Sequence, residues 1–154
     1  MTDPSEPTYA DLAVLPETGT GTLHLDLARR LVAEALGSAF LLIAVVGSGI
    51  MASNLSTDTG LQLLENAAAT GGALIGLILM FGAVSGAHFN PVVTLVDRGL
   101  GSTTTRDTGL YIVAQTIGAC IGTILANAMF ALPALERSTH ERSSGPLWLS
   151  EVIA

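Results

Sequence analysis

Three long apolar runs dominate the sequence and restrict the folds open to it. They cover residues 31–52, 67–84 and 110–132 and contain almost no charge. About 20 residues of α-helix span the roughly 30 Å of hydrocarbon in a bilayer, so each run can cross a membrane once. Charged residues make up 12% of the chain, about half the share of a soluble domain. The sequence therefore predicts an all-α membrane protein with three transmembrane helices. The predicted spans cover about residues 29–53, 64–84 and 107–132.

The distribution of arginines predicts the orientation of these spans. Arg29 and Arg30 precede the first span, and Arg98 and Arg106 flank the linker before the third. The connection at 53–66 contains neither Lys nor Arg. Because positively charged loops remain on the cytoplasmic side, we expect a multi-pass protein of the cell membrane with a cytoplasmic N-terminus.

The segments outside the spans are polar. Residues 1–28 are acidic and lack the basic-then-apolar pattern of a signal peptide, so they are predicted to form a disordered cytoplasmic tail. Residues 133–146 are predicted to form an extracytoplasmic loop, and residues 147–154 begin a fourth span. The net charge of −7 and the lack of a basic patch exclude nucleic acid as a partner. The expected partner is the lipid bilayer.

A short apolar segment, FNPVVTLV, lies between the second and third spans and is too short to cross the membrane. We therefore predict a re-entrant half-helix over residues 90–99. Asn90 is a favoured N-cap and Pro91 a favoured first helical residue, while Gly99 and Gly101 would end the helix. Such a half-helix directs its positive N-terminus and the Asn90 amide at a polar molecule in mid-membrane.

Small residues recur at helical spacing within the spans. The pairs are Gly72 and Gly76, Gly82 and Gly86, and Gly118 and Gly122. They are interpreted as helix-packing positions. The single cysteine, Cys120, cannot form an intrachain disulfide and is expected to be a packed apolar thiol.

The sequence contains no pattern typical of an enzyme. No nucleophile–base pair, metal-ligand cluster or phosphate-binding glycine loop is visible. His24, His88 and His140 fall in different loops. We therefore expect neither catalysis nor a cofactor nor a metal site.

Three motifs, taken together, resemble the aquaporin and aquaglyceroporin family, the major intrinsic proteins. SGAHFNPVVTL is similar to that family's first Asn-Pro-Ala box, with Val92 in place of the usual alanine. AEALGSAFLLIAVVGSGIMA resembles its first helix with the membrane-embedded Glu34, and YIVAQTIGACIG resembles its third helix with Gln115. Ser150-Glu151-Val152 resembles the opening of the second repeat. VVGSGIMA and HFNPVVTL favour a bacterial branch associated with arsenic-resistance operons.

The resemblance implies a passive channel for water or small uncharged solutes. Asn90 would donate hydrogen bonds to the permeating molecule, and the backbone carbonyls of Gly86, Ala87 and His88 would form a ladder of acceptors. Glu34 would receive hydrogen bonds from this loop, since a carboxylate in a span costs roughly 2.5–3.5 kcal/mol without a partner. The alternative is that Glu34 reaches the interface, because it lies only one helical turn from Arg30. A full-length member of the family would form a homotetramer.

Two further residues take expected roles from the resemblance. Thr70, twenty residues before Asn90, occupies a selectivity position where water channels carry phenylalanine and glycerol channels tryptophan. The smaller threonine favours solutes such as glycerol or arsenous acid. Gln115 is expected to form a helix–helix hydrogen bond and not a contact with solute.

The family resemblance implies a pore of two repeats, of which this sequence carries one and the first turns of the next. We therefore expect an N-terminal half. The alternatives are a non-conducting remnant, another broken-helix transporter such as a formate or nitrite channel, and a membrane enzyme or interaction module. A second Asn-Pro box followed by an arginine in a continuing reading frame would distinguish the first two.

Overall fold

The computed structural model describes residues 20–135 and 143–153, and regular structure within these ranges is entirely α-helical. The helices are α1 (Thr20–Leu55), α2 (Thr59–Ser85), α3 (Pro91–Gly99), α4 (Thr105–Met129) and α5 (Gly145–Ile153). By length and composition, α1, α2 and α4 can each cross a membrane. The predicted all-α membrane fold with three long apolar helices is confirmed.

Helix ends follow local capping chemistry. Asp58 caps α2, its carboxylate accepting a hydrogen bond from the Leu61 N–H at 2.9 Å. Thr104 caps α4 in the same way, accepting from the Asp107 N–H at 3.1 Å. α2 ends at Ser85, and its C-cap residue is Gly86, whose left-handed conformation suits a residue without a side chain.

Helix α1 extends further than the apolar run from which its span was predicted. It begins at Thr20, so residues 20–28 are helical although they were expected to belong to a disordered tail. The physical reason is that apolarity sets the part of a helix that can enter lipid, whereas the helix itself can continue into water. The rest of that tail, residues 1–19, lies outside the described residues, as do 136–142 of the predicted loop and Ala154.

Helix α1 lies between α2 and α4, while α3 packs against α4. Gly118 and Gly122 of α4 lie against the backbone of α1. A Cβ atom at these positions would lie 2.1 Å from the Ala35 carbonyl oxygen and 2.2 Å from that of Ala39. These two glycines therefore permit close backbone contact between α1 and α4.

The other glycine pairs do not have this packing role within the described part of the chain. A Cβ added at Gly72, Gly76 or Gly82 would meet no atom within 4 Å. Cys120 is likewise exposed and not packed as expected. The face of α4 that is buried against α1 contains Gln115 and Gly118, and Cys120 does not lie on this face.

The interior of the bundle is polar, and most large apolar side chains face outward. The largest fully buried side chains all carry a hydrogen-bonding group: Glu34, Ser38, Thr94, Tyr111 and Gln115. Such a distribution suits a protein in lipid, where apolar side chains face the hydrocarbon and polar groups must form their hydrogen bonds inside the protein. The candidate site is built from this polar interior.

Candidate functional site at the broken helix

The segment between α2 and α3 has an unusual backbone conformation. Gly86, Ala87 and Phe89 have φ angles of 90°, 52° and 50°. Positive φ is uncommon for residues with a side chain and costs of order 1 kcal/mol each. The conformation of residues 86–90, here called the α2–α3 loop, therefore needs stabilising contacts from its surroundings.

Glu34 of α1 supplies most of these contacts. One carboxylate oxygen accepts hydrogen bonds from Ser85 Oγ (2.6 Å) and the His88 N–H (3.0 Å). The other accepts from the Phe89 N–H (2.7 Å) and Gln115 Nε2 (2.8 Å). Glu34 is fully buried, and its carboxyl group is tolerated at this depth because four donors surround it. The side chain thus lies inside the bundle, bonded to the loop, and does not reach the interface.

A second set of hydrogen bonds connects the loop to α3 and α4. Gln115 Nε2 donates to Thr94 Oγ1 (2.9 Å), and Thr94 Oγ1 donates to the Asn90 carbonyl (3.1 Å). Because a carboxylate can only accept, the amide nitrogen of Gln115 must face Glu34, and its Oε1 is buried without a partner among the described residues. Gln115 therefore links α1, α3 and α4, and contacts between helices account for both of its hydrogen bonds.

A further hydrogen bond connects Thr94 to His88. His88 Nδ1 lies 3.1 Å from Thr94 Oγ1. Which of the two atoms donates depends on the tautomer of the imidazole. In either tautomer the contact holds the His88 ring against α3.

The α2–α3 loop separates its donors from its acceptors. The N–H of Ala87 donates to Ser85 Oγ (3.1 Å), and those of His88 and Phe89 donate to Glu34. In the described part of the chain, the carbonyls of Gly86, Ala87 and His88 accept no hydrogen bond. The loop therefore presents three consecutive free acceptors on the side away from Glu34.

Asn90 follows these carbonyls and begins α3. Its Oδ1 accepts from the Val92 N–H at 2.8 Å, so the side chain is the N-cap, and Pro91 is the first residue of the helix. Asn90 and Val92 are exposed, and no described residue accepts a hydrogen bond from Asn90 Nδ2. One end of the amide thus caps α3 while the other remains a free donor.

The ring of Phe89 anchors the α2–α3 loop to α1 and α2. Phe89 is buried and packs on Gly37, where an added Cβ would come within 2.0 Å of the ring. It also makes an edge-to-face contact with Phe81, at a centroid distance of 6.0 Å. Gly37 is therefore required for the ring to occupy this site.

Thr70 lies apart from this network. It is half-buried on α2, and its Oγ1 is buried without a partner among the described residues. One turn earlier on the same helix, Asn66 Nδ2 donates to the Val45 carbonyl (2.7 Å) and to Ser48 Oγ (2.9 Å) of α1. No hydrogen bond connects Thr70 to the α2–α3 loop within the described residues.

Five residues of the network were not predicted as site residues: Arg30, Ser85, Phe89, Thr94 and Tyr111. Tyr111 is fully buried, and its hydroxyl donates to the Ser85 carbonyl at 3.0 Å while accepting from Arg30 Nε at 2.7 Å. A signal was present in the sequence, since Tyr111 lies one turn before Gln115 and two turns before Gly118. Polar and small residues at this spacing mark one face of an otherwise apolar helix.

The fold and the site define a polytopic helical membrane protein in which the non-helical loop between α2 and α3 is held by a buried carboxylate. The sequence profile of the family described as Major intrinsic protein matches residues 22–145. The chain belongs to this family, and the resemblance found in its motifs is confirmed.

Several curated proteins are similar to this chain. The aquaglyceroporin AqpS of Rhizobium meliloti (strain 1021) is 51% identical over 131 residues, which cover 85% of this chain and 56% of that protein. Aquaporin NIP1-2 of Arabidopsis thaliana is 30% identical over 72% of this chain and 37% of its own length. Aquaporin-10 of Milnesium tardigradum is 32% identical over 81% of this chain and 30% of its own length. The chain thus spans about half the length, or less, of these relatives.

Proposed function

We propose that this chain is part of a passive transmembrane channel for water and small uncharged solutes. Membership of the Major intrinsic protein family supports the proposal, as does the similarity to a protein named as an aquaglyceroporin. The proposed pore residues are those of the α2–α3 loop and the start of α3, with Asn90, Pro91 and Val92 as the box.

The observation that carries the proposal is the row of free acceptors formed by the carbonyls of Gly86, Ala87 and His88, followed by the free donor of Asn90. An unpartnered polar backbone group in hydrocarbon costs several kcal/mol, and irregular backbone at that depth persists where it lines a wet cavity. A file of water or hydroxylated solute would satisfy these groups in turn.

The chemistry of the loop favours neutral molecules. Its carbonyls and amide carry no net charge, and the buried carboxylate of Glu34 already accepts four hydrogen bonds. The positive end of α3, at Asn90, would repel cations. At Thr70 a small side chain would leave room for a solute larger than water, such as glycerol or undissociated arsenous acid.

The topology forms part of the proposal. We place α3 as a half-helix that enters the membrane and leaves on the same side, because it has nine residues against 25 or more in α1, α2 and α4. The arginine distribution supports a cytoplasmic N-terminus in the cell membrane. Four copies would assemble, as the family resemblance implies.

Stopped-flow measurements on proteoliposomes containing the complete gene product test the proposal. We expect water and glycerol flux above that of protein-free liposomes. Thr70→Phe should lower glycerol flux and preserve water flux, because the larger ring narrows the path for the larger solute. Thr116→Phe, at an exposed position on α4, is the matched control. Fluxes equal to those of empty liposomes would contradict the channel assignment.

A further inference from the structure

Side-chain hydrogen bonds join α2 to α1 at two levels of the described bundle. At the end next to the α2–α3 loop, Ser85 Oγ donates to the Glu34 carboxylate at 2.6 Å. Towards the other end of α2, the amide of Asn66 donates to α1. Thr70 lies one turn from Asn66 and about four turns from Ser85. The Asn66 contact therefore determines how α2 lies on α1 at the level of Thr70.

The contact between Asn66 and α1 has a defined geometry. Asn66 Nδ2 donates to the Val45 carbonyl at 2.7 Å and to Ser48 Oγ at 2.9 Å. Because a backbone carbonyl can only accept, the amide must turn its nitrogen toward α1. Gly49 leaves room for this nitrogen, since an added Cβ atom would lie 3.3 Å from it, closer than ordinary van der Waals contact. In hydrocarbon no water competes for such hydrogen bonds, so they hold the two helices together.

The hydroxyl of Thr70 is oriented differently from those of four other helical threonines. Each of the four donates to the carbonyl four residues earlier: Thr94, Thr108, Thr116 and Thr123. Thr70 Oγ1 makes no such bond within the described residues and is buried, although the residue as a whole is only half-buried. Among the described helices α2 packs on α1 alone, so the hydroxyl lies in the α1–α2 interface. The accessible part of the Thr70 side chain is therefore its methyl side.

We propose that Asn66 is a positioning residue for solute selectivity. It holds α2 on α1 so that the Thr70 hydroxyl stays in the interface and the methyl group faces the solute path. The inference rests on the proposed channel function, with Thr70 as its selectivity position. Since a methyl group forms no hydrogen bond, Thr70 selects solutes by size and not by their hydroxyl groups. Without the Asn66 contact α2 can move away from α1, and the path at Thr70 widens.

Uptake of two polyols of different size tests the proposal in proteoliposomes that contain the complete gene product. Permeabilities to glycerol, to the larger erythritol and to water are measured on the same vesicles. Asn66→Ala should raise the ratio of erythritol to glycerol permeability by a factor of about two to ten, the effect on a rate of one net hydrogen bond. Ser48→Ala, which removes one acceptor and keeps Asn66, should raise it less. Thr70→Ser should also raise it, because the methyl group is lost while the hydroxyl is kept.

Asn54→Ala is the matched control, because Asn54 is exposed near the end of α1, and it should keep the parental ratio. Ser48→Ala tests the same contact if Asn66→Ala does not fold. An unchanged ratio in both variants, or permeabilities to all three molecules lowered by one factor, would overturn the role of Asn66 and leave the channel function intact. An unchanged ratio in Thr70→Ser would overturn the orientation of the methyl group. Lack of flux through the unsubstituted protein would overturn the channel function as well.

Discussion

The carboxylate of Glu34 accepts a 2.7 Å hydrogen bond from the backbone N–H of Phe89, 55 residues further along the chain. The same carboxylate binds the N–H of His88. In a trans peptide unit the N–H points opposite to the carbonyl of the preceding residue, so the carbonyls of Ala87 and His88 must turn away from α1. One buried acid in the first helix thus determines which side of the α2–α3 loop presents acceptors.

Replacing Glu34 with glutamine tests this role. Glu34→Gln exchanges one acceptor oxygen for an amino group, which cannot accept the two hydrogen bonds made at that atom. Two buried donors would lose their partner, and we expect the free energy of unfolding to fall by roughly 2–6 kcal/mol. Thermal unfolding in detergent, followed by circular dichroism, measures the loss.

Glu65→Gln is the control for this change, since Glu65 accepts no hydrogen bond from a described residue through its side chain. Its melting temperature should remain close to that of the parent. Equal melting temperatures for Glu34→Gln and the parent would show that the carboxylate does not hold the loop.

The contact between α1 and α4 gives a second prediction. Gly118→Ala places a Cβ atom 2.1 Å from the Ala35 carbonyl oxygen, which forces the two helices apart. We expect a destabilisation of about 1–3 kcal/mol, typical of overpacking. Gly72→Ala, which meets no atom within 4 Å, should be neutral or slightly stabilising because alanine favours the helix. Similar melting temperatures for the two variants would refute the close contact.

Tyr111→Phe removes a hydroxyl that joins Arg30 to the Ser85 carbonyl. Since that carbonyl is buried, its loss of a donor should lower the free energy of unfolding by about 1–3 kcal/mol. Thr116→Val serves for comparison, because the Thr116 hydroxyl bonds only within its own exposed helix turn. The expectation fails if Tyr111→Phe unfolds at the same denaturant concentration as Thr116→Val.

Much of the fold could be predicted from the sequence because each apolar run by itself has the length of a membrane span. The break at Asn90 and Pro91 was likewise visible, since capping preferences act between neighbouring residues. The start of α1 at Thr20 was not predictable from apolarity, because a polar segment outside the membrane can be either helical or disordered.

The remaining site residues depend on contacts that local patterns do not encode. Tyr111 meets Arg30 across 81 residues and Ser85 across 26. Helix α4 is apolar on nearly every face, so hydrophobic periodicity cannot identify the side that packs on α1. For this reason the sequence did not reveal that Cys120 is exposed or that Gly118, but not Gly72, lies at a helix contact.

The most direct test of the account is the flux of ions and neutral solute through Asn90→Asp. Aspartate caps a helix as well as asparagine does, so α3 should be retained. The change removes the Nδ2 donor and places a negative charge at the positive end of α3. Asn54→Asp, at an exposed position near the end of α1, makes the same chemical change away from the loop.

The measurement combines stopped-flow water and glycerol flux with proton and sodium leak in proteoliposomes of the complete gene product. We predict reduced glycerol flux and a measurable cation leak for Asn90→Asp, with parental values for Asn54→Asp. If Asn90→Asp conducts water and glycerol like the parent and excludes ions equally well, the α2–α3 loop does not line the pore.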